Sequence, residues 1–177
     1  MKKFILLICA ILTLIVISND IKKDYYVIPN ESIRIRIVPN SNKIEDQLIK
    51  KQIKNNLELK IEKDLNNSKT IEQSRKIIKN NINNYKKEID KVIKQTNKKI
   101  NYNIDYGNHY FPEKKYKGLK YKAGMYESLL ITIGKADGNN WWCVLFPPIC
   151  SLEVDDSNTS NVKYTTYIKE IYEKYIK

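Results

Sequence analysis

The sequence has 177 residues, of which 42% are hydrophobic and 29% are charged, and this composition excludes a disordered chain. Its length suits one globular domain, and five glycines with five prolines leave little room for long linkers. The net charge is +12, but lysines interleave with acidic residues along the whole chain, which indicates a generically cationic surface rather than a nucleic-acid interface.

The chain begins with the pattern of an export leader. Lys2 and Lys3 precede an apolar run over 4–17 in which only Thr13 is polar. A helix of that length rises about 21 Å, short of the roughly 30 Å hydrocarbon core, so the run fits a signal peptide better than a stable span. We expect residues 1–18 to be a signal peptide or a short N-terminal anchor, and the rest to lie outside the cytoplasm.

Residues 19–32 are predicted to be a juxtamembrane segment, and residues 33–177 a single domain. Isoleucine alternates with arginine over 33–38, which is the pattern of a half-buried strand. We expect the isoleucines of this strand to face the core, and Arg34 and Arg36 to face solvent.

Two helices are predicted next. Apolar residues recur at helical spacing over 43–65 (including Ile44 and Leu48) and over 70–97. The short polar break at 66–68 predicts that they form an antiparallel helical hairpin. Two capping pairs are predicted at their first turns: Asn42 with Glu45, and Thr70 with Gln73.

The residues after the second predicted helix have the pattern of several strands followed by a helix. Apolar residues alternate over 100–104 and more loosely over 125–134, and 141–146 is a short apolar strand. The loop 135–140 contains an Asp-Gly turn signal and predicts a hairpin between the last two strands. Residues 164–176 have helical spacing. The predicted fold class is α+β, with the helical hairpin and the C-terminal helix packed on a mainly antiparallel sheet.

No motif for catalysis or for a cofactor is present. The single histidine, His109, follows Gly107 and Asn108 in a predicted surface turn. Cys143 and Cys150 predict either a disulfide, worth about 2 to 3 kcal/mol, or two buried thiols. A zinc site that used both cysteines with His109 would lack a fourth ligand. We therefore expect no catalytic residue, cofactor or metal.

Two tryptophans stand side by side near the end of the predicted sheet. Trp141 and Trp142 are adjacent in a strand, so they should point to opposite faces. One of them is expected to belong to the core. The other is either an interface anchor for a partner or is covered by the C-terminal helix.

The segment 139–150, NNWWCVLFPPIC, resembles the signature of the stage II sporulation protein R family, which are secreted signalling proteins of endospore-forming bacteria. The resemblance extends over about 28–150. Further matches in the same order are Ile28-Pro29, Ile33 to Arg36, Asn40-Ser41, Glu45 to Gln47, Phe111-Pro112, Tyr116, Gly118, Ala123 to Glu127 and Ile133-Gly134. Lys122 and Met125 depart from the family pattern, which usually has proline and a small or acidic residue there.

The resemblance implies a non-catalytic messenger. In the family, the smaller compartment of the dividing cell exports this protein into the space between the septal membranes. There it activates a membrane-embedded aspartic protease, which removes the pro-segment of an early mother-cell sigma factor. The implied partner is that protease, with no nucleic acid or small-molecule substrate. Under this implication, Trp141, Trp142 and Phe146, with the Pro147 and Pro148 turn, are the partner interface or its direct support.

Two other classes remain open beside the messenger. The first is a wall-associated hydrolase that acts on peptidoglycan. The second is a passive cationic module that binds the septal surface or an anionic membrane.

Overall fold

The computed structural model describes residues 26–116, 119–150, 169–171 and 173–175. The helices in these ranges are α1 (Ile44–Leu65) and α2 (Ile71–Gln95), and residues 169–171 and 173–175 are also helical. The strands are β1 (Tyr26–Val27), β2 (Ile33–Val38), β3 (Tyr102–Phe111), β4 (Lys114–Tyr116), β5 (Leu119–Tyr121), β6 (Gly124–Ile133) and β7 (Trp141–Phe146). The α+β class is confirmed. Among the described helices, none has the length and apolar character needed to span a bilayer. The predicted leader, 1–18, lies outside the described residues.

The main sheet has four strands in the order β3-β6-β2-β7. The β3–β6 and β2–β7 pairs are antiparallel and the central β2–β6 pair is parallel, so the sheet is mainly antiparallel, as predicted. The predicted hairpin between the last two strands is wrong, because β2 lies between β6 and β7. The loop after β6 crosses the end of β2, where the amides of Asp137 and Gly138 donate to the carbonyls of Asn40 and Pro39. This crossing carries the chain past β2 to its far side.

Both helices pack on one face of this sheet. The isoleucines of β2 face them, as predicted, and the core of this layer is apolar. Its largest fully buried members include Ile33, Ile35, Ile37, Ile53, Leu57, Ile61, Ile78, Tyr85 and Ile89. Ile44 and Leu48 were expected in the same stripe but are exposed. Neighbouring helical residues point about 100° apart, so Leu48 cannot face the sheet when Ile49 does.

The capping pair predicted for α2 is confirmed. The Thr70 hydroxyl oxygen accepts a hydrogen bond from the Gln73 amide at 3.3 Å. The Gln73 side chain in turn accepts from the backbone amide of Lys69 at 2.8 Å. The helix therefore begins where its sequence signal places it.

The capping pair predicted for α1 is wrong. The residue at the N-cap is Lys43, and its side chain makes no capping bond. The Asn42 side chain instead accepts from the amide of Asn139 at 2.6 Å, and Glu45 forms an ion pair with Lys98. The Asn42 side chain does not cap the helix because it accepts a hydrogen bond from the loop that leads into β7.

The opposite face of the main sheet is covered by a small sheet with the order β1-β5-β4. A second apolar cluster lies under it and contains Ile28, Tyr121, Val144, Ile149 and Ile171. Part of the stretch predicted as a juxtamembrane segment, 26–32, thus contributes to the fold. The described part of the predicted C-terminal helix is helical and buries Ile171; its other residues lie outside the described ranges.

A bidentate ion pair joins α2 to the sheet. Arg75 donates to both carboxylate oxygens of Glu127 at 2.7 and 2.8 Å, and the Tyr106 hydroxyl donates to the same carboxylate at 2.8 Å. Burial on its own would raise the pKa of Glu127, but the hydrogen bonds from Arg75 and Tyr106 outweigh it and lower the pKa below its ordinary value. The ionised carboxylate is therefore the form that the fold stabilises.

We expect Glu127→Gln to remove an acid-sensitive part of the stability. Because the folded pKa is depressed, the carboxylate contributes fully above the unfolded pKa of about 4.3, and this contribution is lost as the pH falls through the folded value. Urea unfolding at pH 7 should show a loss of about 1 kcal/mol, after allowance for the partial exposure of the pair. The loss should shrink below pH 4. Glu31→Gln, at an exposed loop position, is the control. A loss that stays constant from pH 7 to pH 3 would contradict this account.

Candidate partner-binding groove

A groove of about 260 Å³ lies beside α1 and β7. Most of the side chains that line it are apolar, and a few are polar or charged. The apolar members include Ile61, Leu65, Trp141, Leu145, Pro148 and Tyr175, and exposed Glu62 and Lys174 add charge of both signs. The groove is thus shaped and charged like a small contact site on a protein surface.

Trp141 is the largest aromatic side chain of this groove. Its register partner on β2 is Ile37, so it points to the face that carries the helices. The indole is half-buried and packs against the main core, and the Lys54 ammonium lies 5.3 Å from its ring centre. Trp141 therefore packs against the core and also lines the groove.

Trp142 points the other way, as expected for the next residue of a strand. Its ring contacts Phe111 and Tyr121 edge-to-face, with ring centres 5.4 and 5.0 Å apart. It packs against the second cluster, under the small sheet. Of the two predicted interface tryptophans, only Trp141 lies in the groove, and Trp142 has a structural position.

The other predicted interface residues form the floor and one end of the groove. Phe146 is buried and contacts Tyr175 edge-to-face, with ring centres 5.5 Å apart. Pro147 is buried after a cis peptide bond, and the half-buried Pro148 reaches the groove. Phe146 and Pro147 thus support the site, and Pro148 contributes surface to it.

The two cysteines lie next to the same site. Cys143 and Cys150 are both buried, and the structure has them as thiols rather than as a disulfide. The Cys150 thiol donates to the carbonyl of Val144 at 3.0 Å. This arrangement corresponds to the second of the two interpretations that the sequence left open.

The prediction that Arg34 faces solvent is wrong. The side chain is 0% exposed, and its guanidinium carbon lies 3.3 Å from the ring centre of Tyr126. Phe111, Trp142 and Tyr121 surround it at 5.1, 5.6 and 5.8 Å. We call these four rings the aromatic cage. Among the described residues, none offers a hydrogen-bond partner to the three guanidinium nitrogens. Burial lowers the pKa of Arg34, opposed by the electrostatic effect of Tyr126 and Tyr121.

Arg36, the second arginine of β2, is only half-buried. One of its nitrogens donates to the carbonyl of Tyr110 at 3.3 Å. With the Asn140 amide oxygen turned toward it, two further nitrogens donate at 2.8 Å. Arg34 and Arg36 occupy equivalent positions in the alternating pattern, but Arg34 is fully buried and Arg36 is only half-buried, because the small sheet covers only part of this face.

His109 lies within β3 rather than in the predicted surface turn. Its Nδ1 is 2.7 Å from the Ser128 hydroxyl, and its Nε2 is 2.9 Å from an Asp105 carboxylate oxygen. This series of acid, imidazole and hydroxyl resembles a hydrolase triad in composition. However, Ser128 is 0% exposed, so its oxygen cannot reach a substrate. The arrangement links two neighbouring strands, β3 and β6.

The described residues contain no group of three or more His, Cys, Asp or Glu side chains that could hold a metal ion. The caged arginine is the residue that the sequence analysis missed. A local pattern cannot reveal it, since the cage is assembled from four separate strands. The only available signal was the set of aromatic residues that follows in the later strands.

We expect the caged arginine to be sensitive to the kind of cation that replaces it. Arg34→Lys should lose about 2 kcal/mol or more in urea unfolding, because an ammonium is strongly hydrated and cannot spread its charge over four rings. Arg34→Met keeps much of the volume and removes a buried charge, so it should stay within about 1 kcal/mol of the native chain. Arg36→Lys is the comparison and should lose less than Arg34→Lys, because the Arg36 guanidinium is only half-buried. Equal stability of Arg34→Lys and the native chain would contradict the role assigned to the cage.

Comparisons with known proteins identify the family. The sequence model of the family described as Stage II sporulation protein R (spore_II_R) matches residues 29–156. Stage II sporulation protein R of Bacillus subtilis (strain 168) is 40% identical over 141 residues, which cover 77% of this chain and 60% of that protein. The chain thus spans less than two thirds of the length of this relative. No solved structure is similar enough to count as a match. On these matches, the chain belongs to the stage II sporulation protein R family.

Proposed function

We propose that this chain is an exported, non-catalytic signalling protein of endospore formation. It is delivered into the space between the septal membranes, either free of its leader or tethered by it. There it activates a membrane-embedded aspartic protease, which then processes an early mother-cell pro-sigma factor. The observation that carries this proposal is that the segment 139–150 contains β7, which places Trp141 in a groove and packs Trp142 against the second cluster on the other face of the sheet.

The size of the groove supports a protein partner. Pockets for small-molecule ligands usually measure about 300–1,000 Å³, and this groove is smaller, at about 260 Å³. It suits one or two inserted side chains of a partner. Trp141 supplies the kind of rigid aromatic surface that dominates binding energy at protein interfaces. Glu62 and Lys174 provide charges of opposite sign that can fix the orientation of that partner.

Activation by such contact requires differential binding. A messenger that performs no chemistry can shift the protease toward its active state only by binding that state more tightly. A shift from 1:99 to 99:1 needs an affinity ratio of about 10⁴, or about 5.5 kcal/mol. One tryptophan anchor with its surrounding contacts supplies a large share of that difference, because single hot-spot residues contribute about 2 kcal/mol or more.

The test is co-expression of the full chain with the candidate protease and its pro-sigma substrate in a host that lacks all three. Processing should depend on this chain and on an intact leader. Processing by the protease alone, or solubilisation of wall sacculi by the purified chain, would contradict the proposal.

Two tryptophan substitutions distinguish a loss of partner contact from a loss of fold stability. Trp141→Ala should lower processing at least about tenfold, with a loss of stability of about 2 kcal/mol at most, because the indole is only half-buried. Trp142→Ala should destabilise the fold more, by about 3 kcal/mol, because the ring it removes is one wall of the aromatic cage around Arg34. Thermal unfolding and processing should be measured on both variants.

A charge reversal at an exposed residue of the groove tests the contact without changing the stability of the fold. Glu62→Lys changes an exposed groove residue and should reduce processing with an unchanged melting temperature. Glu31→Lys makes the same charge change in an exposed loop outside the groove and serves as the control. Equal processing by Glu62→Lys and Glu31→Lys would remove the groove from the proposed interface.

A further inference from the structure

Helix α1 carries apolar side chains on two opposite sides. Its core side includes Ile53 and Leu57, which lie near the middle of the helix and are 0% exposed. At about 100° per residue, Ile44, Leu48 and Leu59 point away from that side. They are 79%, 55% and 64% exposed, and they are three of the six large apolar side chains that are exposed in the described ranges. The outer side of α1 thus leaves apolar surface uncovered by the rest of the described chain.

The residues of this outer side follow a spacing that is the same from either end. Successive members are four, four, three, four and four residues apart, and all of them are exposed: Ile44, Leu48, Gln52, Asn55, Leu59 and Lys63. We call these six residues the outer stripe. A two-fold axis pairs each residue of one helix with the residue equally far from the other end of an identical, antiparallel helix. A spacing that reads equally in both directions is what such a pair requires.

The side chains of the outer stripe are complementary to themselves under that axis. With the axis between positions 53 and 54, Leu48 meets Leu59 of the second copy, and Gln52 meets Asn55 of the second copy. Leucine therefore faces leucine and amide faces amide. At each end, Ile44 lies against the hydrocarbon stem of the second copy's Lys63. The central amides also fix the register, because a shift of seven residues would bring an amide against a leucine.

The charges of α1 favour a second copy as the occupant of this surface. Glu45 and Lys63 are separated by five helical turns, so they point in the same direction, and the two-fold axis places Glu45 beside Lys63 of the second copy at both ends of the contact. Glu45 forms an ion pair with Lys98 but stays exposed. Within and beside the outer stripe, the exposed acids Glu45 and Glu62 balance the exposed Lys51 and Lys63, although the whole chain carries +12. Two copies can therefore approach through this side without the repulsion that the net charge produces elsewhere.

We propose that the outer stripe joins two copies of this chain through an antiparallel contact between their α1 helices. The contact is about 29 Å long, and because each copy contributes a single helix, it is small and the copies should exchange readily. Ile61 and Leu65, the apolar residues of α1 that line the groove, point away from the outer stripe, so the contact does not cover them. The pairing goes beyond the proposed signalling role and does not depend on it.

The test is sedimentation velocity of the full chain in a nonionic detergent over a range of protein concentrations. The native chain should shift from one copy to two as its concentration rises. Leu48→Glu brings a carboxylate against leucine twice in each pair, so it should weaken association at least about tenfold. Met125→Glu makes the same kind of change at an exposed apolar residue of β6 and should stay within about twofold of the native chain. All variants keep the apolar run 4–17, so any association through that run is common to them.

Charge reversals separate the outer stripe from overall charge. Lys63→Glu places two carboxylates together at both ends of the contact, so it should weaken association about tenfold. The same substitution lowers the net charge of a cationic chain, so overall repulsion alone predicts tighter association. Lys87→Glu, at an exposed position of α2, makes the same charge change off the stripe and should not weaken association. The double variant Glu45→Lys with Lys63→Glu restores opposite charges and should return association to within about threefold of the native chain.

Three results would overturn the proposal. The first is a native chain that sediments as a single copy at every concentration, which would leave the outer stripe to a different occupant. The second is an equal effect of Leu48→Glu and Met125→Glu, which would assign the association to general apolar exposure. The third is a double variant that associates no better than Lys63→Glu alone, which would remove the antiparallel register.

Discussion

The placement of the Arg34 side chain inside the aromatic cage is the constraint on which the arrangement of this fold depends. A guanidinium without hydrogen-bond partners among the described residues needs the faces of aromatic rings to compensate for lost water. Phe111, Tyr121, Tyr126 and Trp142 provide those faces from β3, β5, β6 and β7. The cage is complete only when β3, β5, β6 and β7 have all reached their places, so one buried side chain contacts elements that are far apart in the chain.

The cage also decides which tryptophan lines the groove. Because Trp142 is one of its walls, the alternation of the strand turns Trp141 toward the helices and into the groove. Phe146 lines the groove from the same strand. Side chains that form the wall of the cage and side chains that line the groove therefore alternate within a single strand.

Local signals in the sequence predicted local structure well. The bounds of α1 and α2, the Thr70 cap and the β7 strand follow from spacing over a few residues. What failed depends on distant partners: the parallel pairing of β2 with β6, the loop that crosses β2, and the burial of Arg34. An alternating pattern reports that a strand has one apolar face, but β2 is central and both of its faces are covered. The candidate site was found only in part, since Trp141 and Trp142 carry the same sequence signal and differ only in which face they meet.

The two faces of the main sheet divide the surface into regions of different chemistry. On the side of the helices, several lysines pair with acids within a turn, as in Lys54 with Glu58 and Lys91 with Glu88, so much of the charge is locally compensated. On the small sheet, Lys120 pairs in register with Lys115 and lies 3.5 Å from Glu113. The groove and the small sheet lie on opposite faces of the main sheet, so a contact in the groove leaves the small sheet uncovered.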